Sequence, residues 1–155
     1  MSIGWVGLAS VALAVASCSG TTTIAGDAGV SNLTAGVDVI SSAPGPGSGV
    51  RTVTDGDMNT GWTGPDPPYW FEIDLGQQVA IERVRLMVGR DVMAKVGVNV
   101  GVHDNPGRRP GSVDGAIPAQ DWLDFAVGYE ARFIRVTVEE ADGPATWLEV
   151  EVIPG

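Results

Sequence analysis

The sequence predicts an all-β fold, an antiparallel β-sandwich, on three observations. From Asn32 onward, short runs of β-branched and aromatic residues recur at intervals of roughly ten residues, divided by clusters of Gly, Pro, Asp and Asn. Several of these runs alternate apolar and polar residues with the period of a strand that has one buried and one wet face. The 22 Gly and 10 Pro supply turns, and they leave no helix of ordinary length in this region.

Taken in order, the predicted strands are Trp70–Leu75, Ile81–Val88, Val96–Val102, Phe133–Val138 and Leu148–Ile153. Ile81-Glu82-Arg83-Val84-Arg85-Leu86 alternates in part. In Phe133-Ile134-Arg135-Val136-Thr137-Val138 the apolar residues Ile134, Val136 and Val138 share a face, and Phe133 is out of phase. Two segments read as loops. One is Ser41–Gly49, rich in Pro, Gly and Ser; the other is His103–Gln120, long and polar. Structureless loops longer than about 12–15 residues are uncommon in compact domains and are often functional.

At 155 residues the chain has room for one domain and an appendage, since domains run to roughly 100–200 residues. The division falls at residues 1–30 and 31–155. A 44% apolar content is enough for a core, and no repeat is visible. The net charge of -10, with nine Lys and Arg in all, excludes nucleic acid as a partner, because affinity for phosphate backbones comes from clustered cations. The surplus of carboxylates is instead suited to solubility or to a hard cation such as calcium.

Cys18 is the single cysteine, so no intrachain disulfide forms. The stretch Trp5–Ala16 before it is apolar and of signal-peptide length. Val15-Ala16-Ser17-Cys18 resembles a bacterial lipobox, which implies lipidation of Cys18, cleavage before it and a cell-surface lipoprotein. The n-region Met1–Gly4 carries no Lys or Arg, which a leader normally has. The competing expectation is therefore an uncleaved arm that docks against neighbouring subunits of an envelope or virion surface. An acylated N-terminal Cys18 or an intact Met1, read by mass spectrometry, separates the two. Residues Ser19–Gly29 read as a linker or an extended arm.

Four separated segments carry a family resemblance. Thr54-Asp55-Gly56-Asp57-Met58-Asn59-Thr60-Gly61-Trp62, followed by Tyr69-Trp70-Phe71-Glu72-Ile73-Asp74-Leu75-Gly76, resembles the paired motifs of coagulation-factor 5/8 type C domains and of bacterial carbohydrate-binding modules in the same superfamily. Asn32-Leu33-Thr34-Ala35-Gly36 is similar to the opening of those domains. Ala131–Val136 and Trp147–Val152 are similar to their closing strands. The resemblance implies a discoidin-like jelly roll over residues 31–155. It also implies a surface-displayed, non-catalytic module for glycans or cell-surface polysaccharide. The second expectation is a structural protein whose sandwich and N-terminal arm mediate assembly.

The resemblance also implies one structural calcium ion between the Asp55-Gly56-Asp57 loop and the last strand. Carried over residue by residue, its ligands would be the Thr52 carbonyl, the Asp55 carboxylate, Asp57, Thr60, the Leu148 carbonyl and the Glu149 carboxylate. Calcium takes six to eight hard oxygen ligands, and a tight Gly-containing loop turns several toward one centre. The plain alternative is that Asp55 and Asp57 only cap turns through bonds to backbone N–H groups.

Sugar contact in this superfamily uses loops, an aromatic face, and His, Arg, Asn or Glu against hydroxyls. The candidates here are Tyr69, His103, Asn105, Arg108, Arg109 and Trp122. Trp62 and Trp70 match motif positions that pack in the core, and Trp122 is open to either role. Arg108 and Arg109 lie in a loop where solvated turns are the rule, yet two forked guanidiniums suit a carboxylate or sulfate on an acidic glycan. No aromatic stands in that loop. A catalytic role finds no footing in the sequence: nothing selects one carboxylate pair among 19 acids, a single His makes no multi-histidine zinc site, and no serine stands in a nucleophile-elbow context.

Overall fold

The structure, a computed structural model, describes residues 32–42 and 49–155. Cys18, the whole segment 1–30 and most of the Ser41–Gly49 loop lie outside the described residues. Seven strands follow in order: β1 (Asp38–Ser41), β2 (Trp62–Thr63), β3 (Tyr69–Val88), β4 (Val92–Gly101), β5 (Arg108–Ile117), β6 (Trp122–Ala141) and β7 (Thr146–Pro154). A short 3-10 turn, Val50–Thr54, precedes β2. All pairings are antiparallel, in the order β2-β7-β3-β6-β4-β5, with β1 on β3.

The sandwich comes from the two long strands, whose halves serve different ladders. The first half of β3 pairs with β1 and with Phe133–Val138 of β6, and beyond that lie β4 and β5. The second half pairs with Trp122–Ala131 of β6 and with β7. The register shifts between Asp74 and Val79 and again between Ile81 and Arg83, as strands do where a sheet turns a corner. Gly76 sits at the first shift with φ 83°, its N–H donating to Asp74 Oδ1 at 2.8 Å. A residue with a Cβ is strained at such a φ. The expected strands Trp70–Leu75 and Ile81–Val88 are thus one bent strand.

Alternation places the core. Tyr69, Phe71 and Ile73 of β3, Ile134, Val136 and Val138 of β6, and Val96, Val98 and Val100 of β4 all point inward and are buried. From the other half, Val84, Leu86, Val150, Val152 and Trp147 meet them. The ring of Phe71 lies 5.7 Å from those of both Trp62 and Trp147 in edge contacts, a favoured aromatic geometry. Trp62 is in the core, as its motif position implies.

The opening motif has a mechanical role. Asn32 Oδ1 accepts from the N–H groups of Thr34 and Val152, while Thr34, fully buried, donates its hydroxyl to the Val150 carbonyl at 2.8 Å. These bonds tie the start of the domain to its last strand.

The segment His103–Gln120 is not the long loop expected from its composition. It contains β5, which continues the sheet along the edge of β4 in the register Val96↔Val113. An open edge presents unpaired backbone groups, and a polar, Gly-rich segment satisfies them even with Ile117 as its one buried side chain. Gly111 is required on this strand, because a Cβ there would stand 2.5 Å from Cδ1 of Phe125 on β6.

Candidate functional site

Residues that alternate outward from the first half of β3 and its neighbours form a polar and aromatic face. Ile40, Glu72, Arg135 and Asn99 stand in one cross-strand row, and Asp38, Asp74, Phe133 and Gly101 in the next. Trp70 projects from the same face of β3. A depression of about 510 Å³ opens here, lined by Asp38, Ile40, Trp70, Glu72, Asp74, Asp104, Phe133 and Arg135.

At its centre is an ion pair. Glu72 is 3% exposed, and its Oε2 accepts from Arg135 Nε at 2.8 Å and from the Asn105 N–H at 3.1 Å. Arg135 also donates to Asn105 Oδ1 at 2.8 Å and sits over the Trp70 ring, 3.6 Å from its centroid. Asn105 holds φ 54°, a left-handed conformation that Asn tolerates better than most residues. The 102–107 turn is therefore pinned to the sheet by backbone and side chain. Its Pro106 carbonyl accepts from Asn99 Nδ2 at 3.0 Å. Asp74 is held by Arg132 at 2.7 and 2.9 Å, and this guanidinium keeps the Asp74 carboxyl below its usual range.

The sequence candidates do not converge on one point. Asn105 belongs to this network, and His103 is exposed in the same turn. Arg109 lies further along the same sheet. It donates to Asn99 Oδ1 and Glu139 Oε1, both at 3.0 Å, and crosses over Gly97 to do so. Arg108 covers the ring of Tyr129 at 4.2 Å. Trp122 belongs to the other half of the sandwich, half-buried beneath Arg85, which is itself paired with Glu151.

Two expectations are corrected. Tyr69 offers no face to a ligand: it is 3% exposed, and its hydroxyl accepts from Trp147 Nε1 at 2.9 Å. Burial raises its pKa. Trp70, expected in the core, lies on the outer face instead, because residues at successive positions of a strand point opposite ways and Tyr69, Phe71 and Ile73 take the inside. Missing from the sequence-derived set were Trp70, Glu72, Asp104, Phe133 and Arg135. The signal that finds the β3 members is the phase of Tyr69–Asp74.

A second feature lies at the Asp55–Thr60 loop. Asp55 Oδ1 accepts from the Asp57 N–H and Oδ2 from the Thr60 hydroxyl, and Asp57 Oδ1 accepts from Asn59, so both acids shape the turn. The Thr60 hydroxyl also reaches the Asp57 carbonyl, and the Thr52 carbonyl accepts from the Asp55 N–H. Glu149 is different. It is 1% exposed, the Gly56 N–H donates to its Oε2 at 3.1 Å, and its Oε1 is buried with no partner. Burial chiefly, then the charges of Asp55, Glu151 and Asp57, push its pKa up to about 8.

A buried, partnerless carboxylate oxygen that also feels the charges of neighbouring acids is the environment that a bound cation would relieve. Among the described residues no three His, Cys, Asp or Glu side chains form a metal-holding group by themselves. A hard cation here would also need carbonyl donors, which Thr52 and Leu148 could supply. The donor chemistry fits calcium in kind.

No protein-family model matches the sequence, and no curated protein matches it. Solved structures do. Chitosan-binding module 2 of a chitosanase/glucanase from Paenibacillus sp. IK-5, in complex with chitotriose, superposes with a TM-score of 0.68 at 23% identity, over 78% of this chain and 98% of that one. The fold is the discoidin-like β-sandwich. A CBM32 module from Clostridium perfringens, in complex with GlcNAc-α-1,4-galactose, shares the discoidin-like fold at TM-score 0.66 and 20% identity, covering 82% of this chain and 96% of that one. A fucolectin from striped bass (Morone saxatilis) serum matches at TM-score 0.69 and 20% identity, over 81% of this chain and 47% of that one.

Proposed function

We propose that this discoidin-like domain is a non-catalytic glycan-binding module, displayed outside the cell, and that its ligand lies in the Trp70–Phe133 depression. The observation that carries the reading is the depression itself. Two aromatic side chains stand beside a fixed Glu72–Arg135–Asn105 network, the combination of apolar wall and few oriented polar groups that small-ligand sites use. Carbohydrate-binding modules among the solved structures of this fold support it.

The proposal includes a structural calcium ion at Asp55, Asp57, Thr60 and Glu149, with the Thr52 and Leu148 carbonyls. Its support is the buried, partnerless Oε1 of Glu149. Such an ion would fasten the loop after the 3-10 turn to β7 and leave the depression untouched.

Affinity electrophoresis of the full chain through gels containing soluble polysaccharides tests the reading. The wild type is retarded by at least one glycan, and Trp70→Ala and Phe133→Ala, with retained circular dichroism, are not. A folded wild type that no glycan retards would sink the proposal. So would groove variants that bind as the wild type does.

A further inference from the structure

The charges around the depression discriminate among sugars. Three of its four carboxylates are already paired: Asp38 with Arg51 at 2.9 Å, Glu72 with Arg135, and Asp74 with Arg132. The fourth, Asp104, is exposed on the 102–107 turn and has no hydrogen-bond or ion-pair partner among the described residues. The one cation in the lining, Arg135, has its charge matched by the buried Glu72 and also bonds Asn105. Arg109 is likewise engaged by Asn99 and Glu139. Among the lining residues, Asp104 is thus the one charge without a counter-charge.

Resting on the glycan reading above, we propose that the ligand is an amino sugar with a free, protonated amine, an oligomer of glucosamine, and that Asp104 receives the ammonium. A uronic acid would bring a second anion beside Asp104, where the one lining guanidinium is already charge-matched by Glu72, inside a chain of net charge -10. A neutral N-acetylated sugar keeps the aromatic contacts and gains nothing from Asp104. The aromatic walls set where the ring lies, and the lone carboxylate sets which substituent is favoured.

Titration calorimetry of the full chain at mildly acidic pH tests this with three probes: the trimers of glucosamine, N-acetylglucosamine and mannuronic acid. The expected order of affinity is glucosamine, then N-acetylglucosamine, then mannuronic acid. Asp104→Asn is expected to weaken the glucosamine trimer by about two- to fivefold, the range of one exposed ion pair, and to leave the N-acetylated trimer unchanged. Added salt is expected to weaken the glucosamine trimer alone, because exposed charge pairs are screened. Binding of the N-acetylated trimer with no gain for the free amine overturns this inference and leaves the glycan reading standing. Equal or tighter binding of the mannuronate trimer does the same, as does an equal loss for all probes in Asp104→Asn. Three silent titrations, together with no retardation by any polysaccharide, overturn both.

Discussion

The guanidinium of Arg135 lies 3.6 Å from the centroid of the Trp70 ring while its Nε bonds the buried Glu72 at 2.8 Å. One side chain thus fixes both an aromatic wall and a buried carboxylate. Removing it by Arg135→Ala leaves Glu72, 3% exposed, without its counter-charge. Breaking a buried pair from one side costs about 3–5 kcal/mol, and a destabilisation near the lower end is expected because the Arg135 side chain keeps 15% exposure. The double variant Arg135→Ala, Glu72→Gln is expected to recover at least about 1 kcal/mol of the loss, since the stranded charge is gone. Urea denaturation of the four species reads the coupling. Arg51→Ala breaks only the exposed pair with Asp38 and is expected to cost about 0.5 kcal/mol or less.

Tyr69 separates a core role from a binding role. Tyr69→Phe removes the acceptor of the Trp147 Nε1 proton and strands a buried donor. A loss of about 1–2 kcal/mol in unfolding free energy is expected. Sugar affinity is expected to stay unchanged, which calorimetry checks. A loss of affinity with unchanged stability would return Tyr69 to the site.

Two glycines predict unequal costs of the same substitution. A Cβ on Gly64 would overlap the Tyr69 ring, which cannot move because it is enclosed by the core and bonded to Trp147. Gly64→Ala is expected to lose about 2–3 kcal/mol, the scale of overpacking. A Cβ on Gly97 would meet only the guanidinium of Arg109, 2.6 Å away at the end of a flexible side chain. Gly97→Ala is expected to cost less than about 1 kcal/mol, most of it the lost Arg109 bonds to Asn99 and Glu139. Thermal melts of the two variants make the comparison.

The core was legible because it rests on period-two phase. Ile134, Val136 and Val138 share a buried face as their spacing requires. Trp70 departs from its motif position because strand phase prevails: Tyr69, Trp70 and Phe71 are all aromatic, and Ile73 decides which two point inward. The strand β5 was illegible for another reason. Its hydrogen bonds come from the edge of β4, a long-range partner that a Pro- and Gly-containing composition does not announce. The depression was hidden in the same way, since β1, β3, β6 and the 102–107 turn meet only in the folded sheet. The unpaired state of Glu149 could not be read from sequence either, because it depends on how the loop of Asp55 closes over it.

That closure makes stability depend on pH with a definite sign. In the calcium-free protein Glu149 has a folded pKa of about 8 against its ordinary 4.5. The folded state therefore holds a proton that the unfolded state has released, and stability falls as pH rises. The contribution is complete below about pH 4.5 and is lost progressively up to about pH 8, a span worth on the order of 3–5 kcal/mol. With a chelator present, the melting temperature is expected to drop across that window, and Glu149→Gln is expected to flatten the drop. A bound calcium ion would reverse the preference, since a cation favours the ionised carboxylate. Added calcium is then expected to raise the melting temperature most near pH 8 and least near pH 5, and to do nothing in Glu149→Gln. A melting temperature indifferent to calcium at pH 8 would remove the ion from this loop and leave Asp55 and Asp57 as turn caps.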